Sequence, residues 1–457
     1  MNVGLPLFVD AVRAQGAKAT DVDWRIPAGG HEDAVAALAR LYGEASRRID
    51  AANAEVVRRI DTGAPVLRSI GTARDEIADL SDRTILHSGP PLEWERFCDP
   101  LRRSVRAAVV AEGWADSPEV AERLVAGGDV ELASANHHAT AVPMASALGP
   151  STPVFVVEDP QGGRVAFSGI NQGPGQTPWF GVETPEAVER LVFLREAVGP
   201  VLAEAIRATE PVDVFSVAAQ GLMMGDDSHM RTQAATNLML RTLLPGLVAS
   251  DHPARVEVAR FLASNHLFFL NLVMAAAKAV ADWAADVPDS SIVVSMARNG
   301  TTFGVRLAGT GERWFLAPSP PVGDALYHPG FGPEDAGPDI GDSAVLELVG
   351  LGGAAAAASP AVATFVGGSL ADAIATTEEV ERICVGRSSR FKLPSLDFRG
   401  SPLGVDVRRV VELQIPPAIT TGILHATEGL GQVGAGVARA PLPCFEDALL
   451  ALDAALG

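Results

Sequence analysis

Between Ser290 and Pro318 apolar and polar positions alternate with the period of two that marks a β-strand, on both sides of Asn299-Gly300. Asn-Gly is the strongest short hairpin signal, because both residues tolerate the positive φ of a type I′ turn. Taken as the turn, it pairs Arg298 with Thr301, Met296 with Phe303, Val294 with Val305 and Ile292 with Leu307. Those side chains share one face, apolar except beside the turn. The other face carries Val293, Ser295, Ala297, Thr302, Gly304 and Arg306, and is smaller and more polar. Gly304, placed opposite Ser295, leaves room there for a ligand or another backbone. Arg306 projects over that low surface, and Arg298 stands beside the turn. After the Gly309–Gly311 turn, ERWFLAP reads as a third strand, which completes a meander.

The rest of the chain reads around it. A helix ending at Gly16 and then a strand open the sequence, and 31–59 carries Ala37, Leu38, Leu41 and Ala45 near helical spacing. APVLRSIG and DRTILHSG are short strands. SGPPLEWERF leads into a helix through Arg102, and Ser117-Pro118-Glu119 caps the next. TPVFVVEDPQGGRVAFSGI is a second hairpin around Asp159 to Gly163, laid out like the first. From Thr184, which caps a helix, to Val287 the pattern predicts a compact helical unit with no strand pairing inside it. Two loop-rich tracts follow the meander, PSPPVGDALYHPGFGPEDAGPDIGDS and FKLPSLDFRGSPLGVD. AVLELVG reads as a strand, Gly353 to Phe365 and Ser369 to Val385 as helices, VRRVVELQIPPAITTGIL as strand-like, and CFEDALLALDAAL as a closing helix. The prediction is an α/β (α+β) fold: an N-terminal α/β domain over 1–95, the first part of a central α/β domain over 96–183, an inserted helical domain over 184–287, and a C-terminal α/β part over 288–457.

Composition narrows the partners. The 457 residues are 47% hydrophobic and 20% charged, which is globular. A net charge of −20 argues against nucleic acid, so a small anionic substrate would need local arginines. Cys98, Cys384 and Cys444 have no metal-ligand spacing. Their odd number and the start without a basic region favour a reducing cytoplasm. Leu348 to Ala371 has no charge, but its Ala, Gly and Pro360 fit packed interior better than a membrane span. A homo-oligomer is allowed.

Several motifs carry chemistry, each with a plainer alternative. Gly350, Gly352 and Gly353 in LVGLGGAA imitate a dinucleotide fingerprint, with Asp372 near the ribose position, although Asp372 falls inside an expected helix. Gly352 and Gly353 could instead offer N–H groups to a phosphate. MMGDDSHMR offers His229 as acid or base and Arg231 as an anion clamp, whereas Asp226 or Ser228 would serve as a helix cap. ASANHHATAVPM sets Asn136, His137 and His138 together for substrate or proton transfer, without further ligands for a metal. Asp335, Asp339 and Asp342 would suit Mg²⁺, and turns explain them equally well. Asp397 with Arg399, and His425 with Gln432, lie among glycines, with a structural ion pair as the default for the first two. No G-x-S-x-G, Walker A or H-E-x-x-H pattern occurs, so electrostatic and orienting catalysis is expected, with neither cofactor nor metal. His229, Arg298, Arg306 and His138 are the catalytic candidates. Asn136, His137, Asp226, Arg231, Asn299, Gly352, Gly353, Asp397, Arg399 and His425 are the binding candidates. Arg306, with Arg298 and His229 near it, is expected to line the anion site.

SMARNGTTFGVRLAG, RWFLAP, LYHPGF, EDAGPDIGDSA, LDFRGSPLGVDVR, TTGILHATEGLGQVGAG, ILHSGPPLEWERF, MGDDSHMR and NHLFFLNLVMAAAKA, in this order-preserving set from about His87 to Leu449, resemble the AllG family, also called YlbE-like. The resemblance implies a subunit of oxamate carbamoyltransferase, which turns oxalurate and phosphate into oxamate and carbamoyl phosphate in purine and allantoin breakdown. It implies an FdrA-like partner resembling acyl-CoA synthetases, one further companion subunit, and two α/β domains with a small helical one. Gln172 and Gln176 stand where the family pattern leads one to expect an acid and a lysine, and Met230 and Gln233 where it has Asn and Arg. Those departures bear on the substrate more than on the reaction class. A non-catalytic scaffold for the FdrA-like partner competes with the enzyme reading, and a stand-alone amidohydrolase lacks its motifs.

Overall fold

The computed structural model describes residues 2–3, 6–19, 21–22, 26–364 and 368–457. The expected strand after Gly16 is present as Asp21–Val22, paired in parallel with Asn2–Val3, and Phe365, the expected end of one helix, lies outside the described residues. The fold is α/β, built of several small sheets covered by helices.

One four-stranded antiparallel sheet runs in the order Arg164–Gly169, Pro153–Asp159, Val66–Thr72 and Val212–Asp213. Its hairpin loop is closed as the sequence suggests, with the Asp159 carboxylate accepting from the backbone of Ala64, Gln161 and Gly162. The Val212–Asp213 strand is a departure: the interval 184–287 otherwise consists of helices and short joints, and these two residues pair with Leu67 and Val66. Pro211 precedes this link and Asp213 caps the helix after it, accepting from Ser216 N at 2.9 Å, so the link stays extended and Val212 is buried against the sheet.

The helices of that interval do not stand apart. Phe268–Ala285 is buried on nearly all sides, against the Pro153–Asp159 and Arg164–Gly169 strands and the helix Ser46–Thr62. By length and composition it would cross a membrane, and 83% of it lies inside the fold, as a core helix does. One continuous core joins Val56, Phe97, Phe155, Leu202, Phe268 and Leu346, drawn from all four expected segments. A second core brings the chain's two ends together. Ala37, Leu38 and Leu41 of the helix Glu32–Tyr42 pack with Phe445, Leu449 and Leu452 of the last helix, Leu442–Leu456.

The central meander is present, in the order Phe315–Pro318, Thr302–Leu307, Val293–Asn299, with Ile340–Gly341 added at the far edge. Its register differs from the expected one. Arg298 lies opposite Phe303, Met296 opposite Val305, Ala297 opposite Gly304 and Ser295 opposite Arg306. The turn residues are therefore Gly300 and Thr301. The Asn299 side chain is the cause: its Oδ1 accepts from Thr301 N (3.1 Å) and Thr302 N (2.7 Å), and its Nδ2 donates to Pro90 O (3.1 Å). Moving the turn by one residue shifts the pairing by two, so side chains between Ser295 and Arg306 keep their predicted faces. A bulge between Val293 and Ser295 instead sets Val293 opposite Leu307 and packs it with Met296 and Val305. The room over Gly304 is not open to a ligand. A Cβ there would sit 2.5 Å from Pro90 Cγ and 2.8 Å from Trp314 Cε3.

Three further expectations change. AVLELVG forms a helical turn, Val345–Leu348, buried all round, because a short apolar run carries no period to separate helix from strand. The second loop-rich tract is mostly the hairpin Cys384–Leu393 with Arg399–Val405. Of the strand-like VRRVVELQIPPAITTGIL, the first half is the helix Val407–Leu413, capped by Asp406, and only Ala418–Leu424 is a strand.

Candidate functional site

Asp226 to His229 of the MMGDDSHMR segment are buried and form a polar network. Asp226 is the cap of the helix Gln233–Ala249, accepting from Ala234 N (3.2 Å) and Ala235 N (2.8 Å), with Arg231 Nε at 3.5 Å. Burial pushes this carboxyl up to about 6. Asp227 is fully buried and accepts from the backbone of His229, Met230 and Arg231 and from Thr420 Oγ1. Burial raises its pKa as well. The segment is thus bent back on its own carboxylate, with Ser228 at a φ of 63°.

That bend sets His229 Nδ1 2.8 Å from Glu347 Oε1, both side chains almost wholly buried. Glu347 Oε1 also accepts from Gly353 N (3.2 Å) and Thr420 N (3.3 Å). A carboxylate with backbone donors of its own fixes the imidazole with the proton on Nδ1 and Nε2 as the acceptor nitrogen. Gly352 has a φ of 56°, and a Cβ there would overlap Glu347 Oε1 and crowd His229 Nδ1. The glycine expectation is corrected here: Gly352 N donates to Asp227 O and Gly353 N to Glu347, so neither is free for a phosphate. The dinucleotide resemblance fails too, since no strand precedes Gly350 and the Asp372 carboxylate is spent in a capping box with Ser369. Glu347 was not singled out from the sequence. An acid inside an uncharged, buried run was the available signal.

Beside this network lies a cleft of about 610 Å³, lined by Pro174 to Gln176, Trp179 and Phe180, Met230, Asn265 to Leu267, Leu326 to Pro329, and Leu430 with Gln432 and Ala435. Met230 joins the two, as the residue after His229. The walls are held by Gln172 Oε1, which accepts from Trp179 N (2.9 Å), and by Gln176 Nε2, which donates to Leu430 O (3.3 Å). His266 and His328 line the cleft and were not among the candidates, although each lies in a motif of the family resemblance, NHLFFLNLVMAAAKA and LYHPGF. The pKa of His266 is held below its ordinary value by partial burial and by the charge of Arg231.

The hairpin separates the two arginines expected to act together. Arg298 is fully buried and grips Asp339 through Nε (2.8 Å) and Nη2 (3.0 Å), with Nη1 donating to Gly341 O (2.7 Å). That bidentate grip leaves its Nε–Nη2 edge closed to a substrate. Arg306 lies on the opposite face, over Trp314, with Ser295 opposite it and Asn136 Oδ1 3.4 Å from Ser295 Oγ. His137 accepts from Trp314 Nε1 at 3.0 Å, and half-buried His138 stands next to it. Asn299 is the turn clamp already described.

The remaining candidates are scattered. Asp397 is an exposed left-handed turn residue, and Arg399 reaches Glu378 and Glu381 at 3.4 Å on the surface. His425 Nδ1 accepts from Thr427 N and Glu428 N, closing its own loop, with Nε2 3.9 Å from Asp335. The three acids considered for Mg²⁺ each have a separate partner: Asp335 caps Gly332 N, Asp339 holds Arg298, and Asp342 accepts from Gly89 N (2.7 Å) and Val142 N (3.0 Å). Burial pushes Asp342 up to about 6.

Comparison with known proteins bears out the family likeness. Residues 130–343 match the family model described as "Oxamate carbamoyltransferase subunit AllG". The chain is 40% identical over 412 residues to the Escherichia coli (strain K12) protein of that name, covering 89% of this chain and 98% of that one. The chain belongs to the AllG family. Another E. coli K12 relative, "Uncharacterized protein YahG", is 34% identical over 453 residues, covering 98% of this chain and 96% of that one. A crystal structure of a conserved protein of unknown function from Enterococcus faecalis V583 superposes with a TM-score of 0.88 at 35% identity, covering 90% of this chain and 99% of that one. Gln176 and Met230, two of the residues expected to depart from the family pattern, line the cleft.

Proposed function

We propose that this chain is a subunit of a carbamoyltransferase that moves a carbamoyl group between a ureido acid and phosphate, with oxalurate and phosphate giving oxamate and carbamoyl phosphate. The observation that carries the reading is the 40% identity with the E. coli oxamate carbamoyltransferase subunit AllG, spread over 98% of that protein. The geometry beside the cleft supports it. Phosphate oxygen attacks the ureido carbonyl, the carbon–nitrogen bond breaks, and the departing amide nitrogen takes up a proton. His229, fixed through Nδ1 by Glu347, is suited to carry that proton on Nε2. The enzyme works in the cytoplasm, in purine- or allantoin-type nitrogen breakdown, with an FdrA-like subunit and one further companion.

The assembled enzyme should release carbamoyl phosphate from oxalurate only when phosphate is present, and carbamate kinase with ADP would report it as ATP. Ammonia released without phosphate would point to hydrolysis and end the proposal. A second reading, in which the chain is a scaffold while its companions hold the reacting atoms, is favoured by Leu244 and Val248, exposed one turn apart on Gln233–Ala249 and 73% open at Val248. Under that reading, His229→Gln in the assembled enzyme leaves turnover unchanged.

A further inference from the structure

The two arginines of the central hairpin differ in how the same edge of the guanidinium is used. In Arg298 both Nε and Nη2 donate to one buried carboxylate, Asp339. In Arg306 only Nη2 is engaged, by Glu312 Oε1 at 3.1 Å and more distantly by Gly311 O at 3.5 Å. Arg306 Nε is buried and has no hydrogen-bond partner among the described residues. The side chain of Arg306 is 8% exposed and that of Glu312 is 87% exposed, so a sealed cation is met by a carboxylate standing in water.

We propose that the Nε–Nη2 edge of Arg306 is a binding site for an external oxyanion, a carboxylate or a phosphate, and that Glu312 of the same chain occupies half of it in the ligand's absence. Guanidinium edges match two oxygens of one oxyanion, and a bidentate ligand would give Arg306 Nε the partner it lacks. Glu312 holds weakly, because an exposed carboxylate gives up good hydration for a single hydrogen bond. The surroundings suit a negative ligand. Trp314 forms a wall under the guanidinium, 5.7 Å from ring centre to Cζ, and His137 is tied to that wall through Trp314 Nε1. His137 feels the positive charges of Arg306 and Lys278 against the negative one of Glu312. Partial burial comes first, and these cations add to it in holding the pKa of His137 below its ordinary value. This inference does not rest on carbamoyl transfer; it concerns the charge class of what binds.

The test is titration of the full-length chain, with ¹³C-labelled histidine rings observed by NMR, using inorganic phosphate in one series and oxamate in another. Saturable movement of the His137 resonances is expected in at least one series, with the apparent pKa of His137 rising as the anion binds. Binding to phosphate alone, to oxamate alone or to both supports the site and identifies which source of oxyanion it takes. Arg306→Lys should weaken binding about tenfold or more, as a point charge cannot bridge both oxygens. Glu312→Ala, a change at an exposed position that leaves the fold intact, should tighten it by about 1.5- to 5-fold, the strength of an exposed ion pair. No saturable shift with either anion, or a Glu312→Ala protein that binds no more tightly than wild type, overturns the proposal. Failure of the carbamoyl phosphate assay alongside intact anion binding would count only against the proposed reaction.

Discussion

Glu347→Gln exchanges one oxygen for an amide nitrogen and keeps the shape of the side chain, so it isolates what the charge does. Glu347 Oε1 accepts from His229 Nδ1 at 2.8 Å, Gly353 N at 3.2 Å and Thr420 N at 3.3 Å, and a glutamine oxygen can accept from all three. What is lost is the difference between charge-assisted and neutral hydrogen bonds, largest at the short contact to the imidazole. That difference is about 1–2 kcal/mol. If His229 carries the proton in the reaction, the loss appears in the transition state, and kcat should fall roughly 5- to 30-fold. Stability should change by less than about 1 kcal/mol, because burying an amide is cheaper than burying a carboxylate and offsets the weaker bonds. Glu347→Ala provides the contrast: it removes the acceptor of three buried donors, two of them backbone N–H groups that cannot turn away, and should cost roughly 2–6 kcal/mol of stability. The assays are steady-state formation of carbamoyl phosphate by the assembled enzyme and urea unfolding of the chain. Wild-type turnover in a Glu347→Gln enzyme would refute the reasoning, and a large loss of stability in that variant would make the carboxylate structural.

Arg298→Met should destabilise the chain by about 3–5 kcal/mol, since Asp339 is left charged and buried, and Arg298→Met with Asp339→Leu should recover much of the loss in urea unfolding. Gly352→Ala forces a left-handed alanine at a cost of about 1–2 kcal/mol and pushes a methyl into Glu347 and His229, so turnover should fall further than stability, as kinetics beside thermal unfolding would reveal. His87 is sealed against Phe97 with Nδ1 donating to Ser88 O, and burial lowers its pKa to about 4. An unfolded histidine binds its proton near 6.5, so between 6.5 and 4 the unfolded chain holds the extra proton and stability falls as pH falls; above 6.5 the contribution is complete. His87→Gln should therefore flatten the acid limb of the stability profile by up to about 1.4 kcal/mol per pH unit in that window, measured by denaturant unfolding at several pH values, and an unchanged limb would refute the assignment.

What the sequence determined by itself were the features made by residues close along the chain. Ser117, Thr184 and Ser369 accept from backbone N–H groups three residues on, as a serine or threonine at a helix start must. The hairpin around Asp159 and the faces of the central meander between Ser295 and Arg306 follow from strand alternation, which survives a shifted turn. The family was legible as well, because its motifs are long and keep their order. Register was not, since Asn299 turned its side chain to Pro90, which lies 209 residues away. Val345–Leu348 and Val407–Leu413 became helical where their apolar content suits either state, and the packing around them decided. The same holds for the site. His229 stood out, but its partner Glu347 lies 118 residues on, and Arg298 was taken for an anion ligand until Asp339 filled its edge. A cap or a turn is satisfied by atoms its own segment supplies, whereas a buried charge takes the partner that folding brings to it, and only the tertiary structure names that partner.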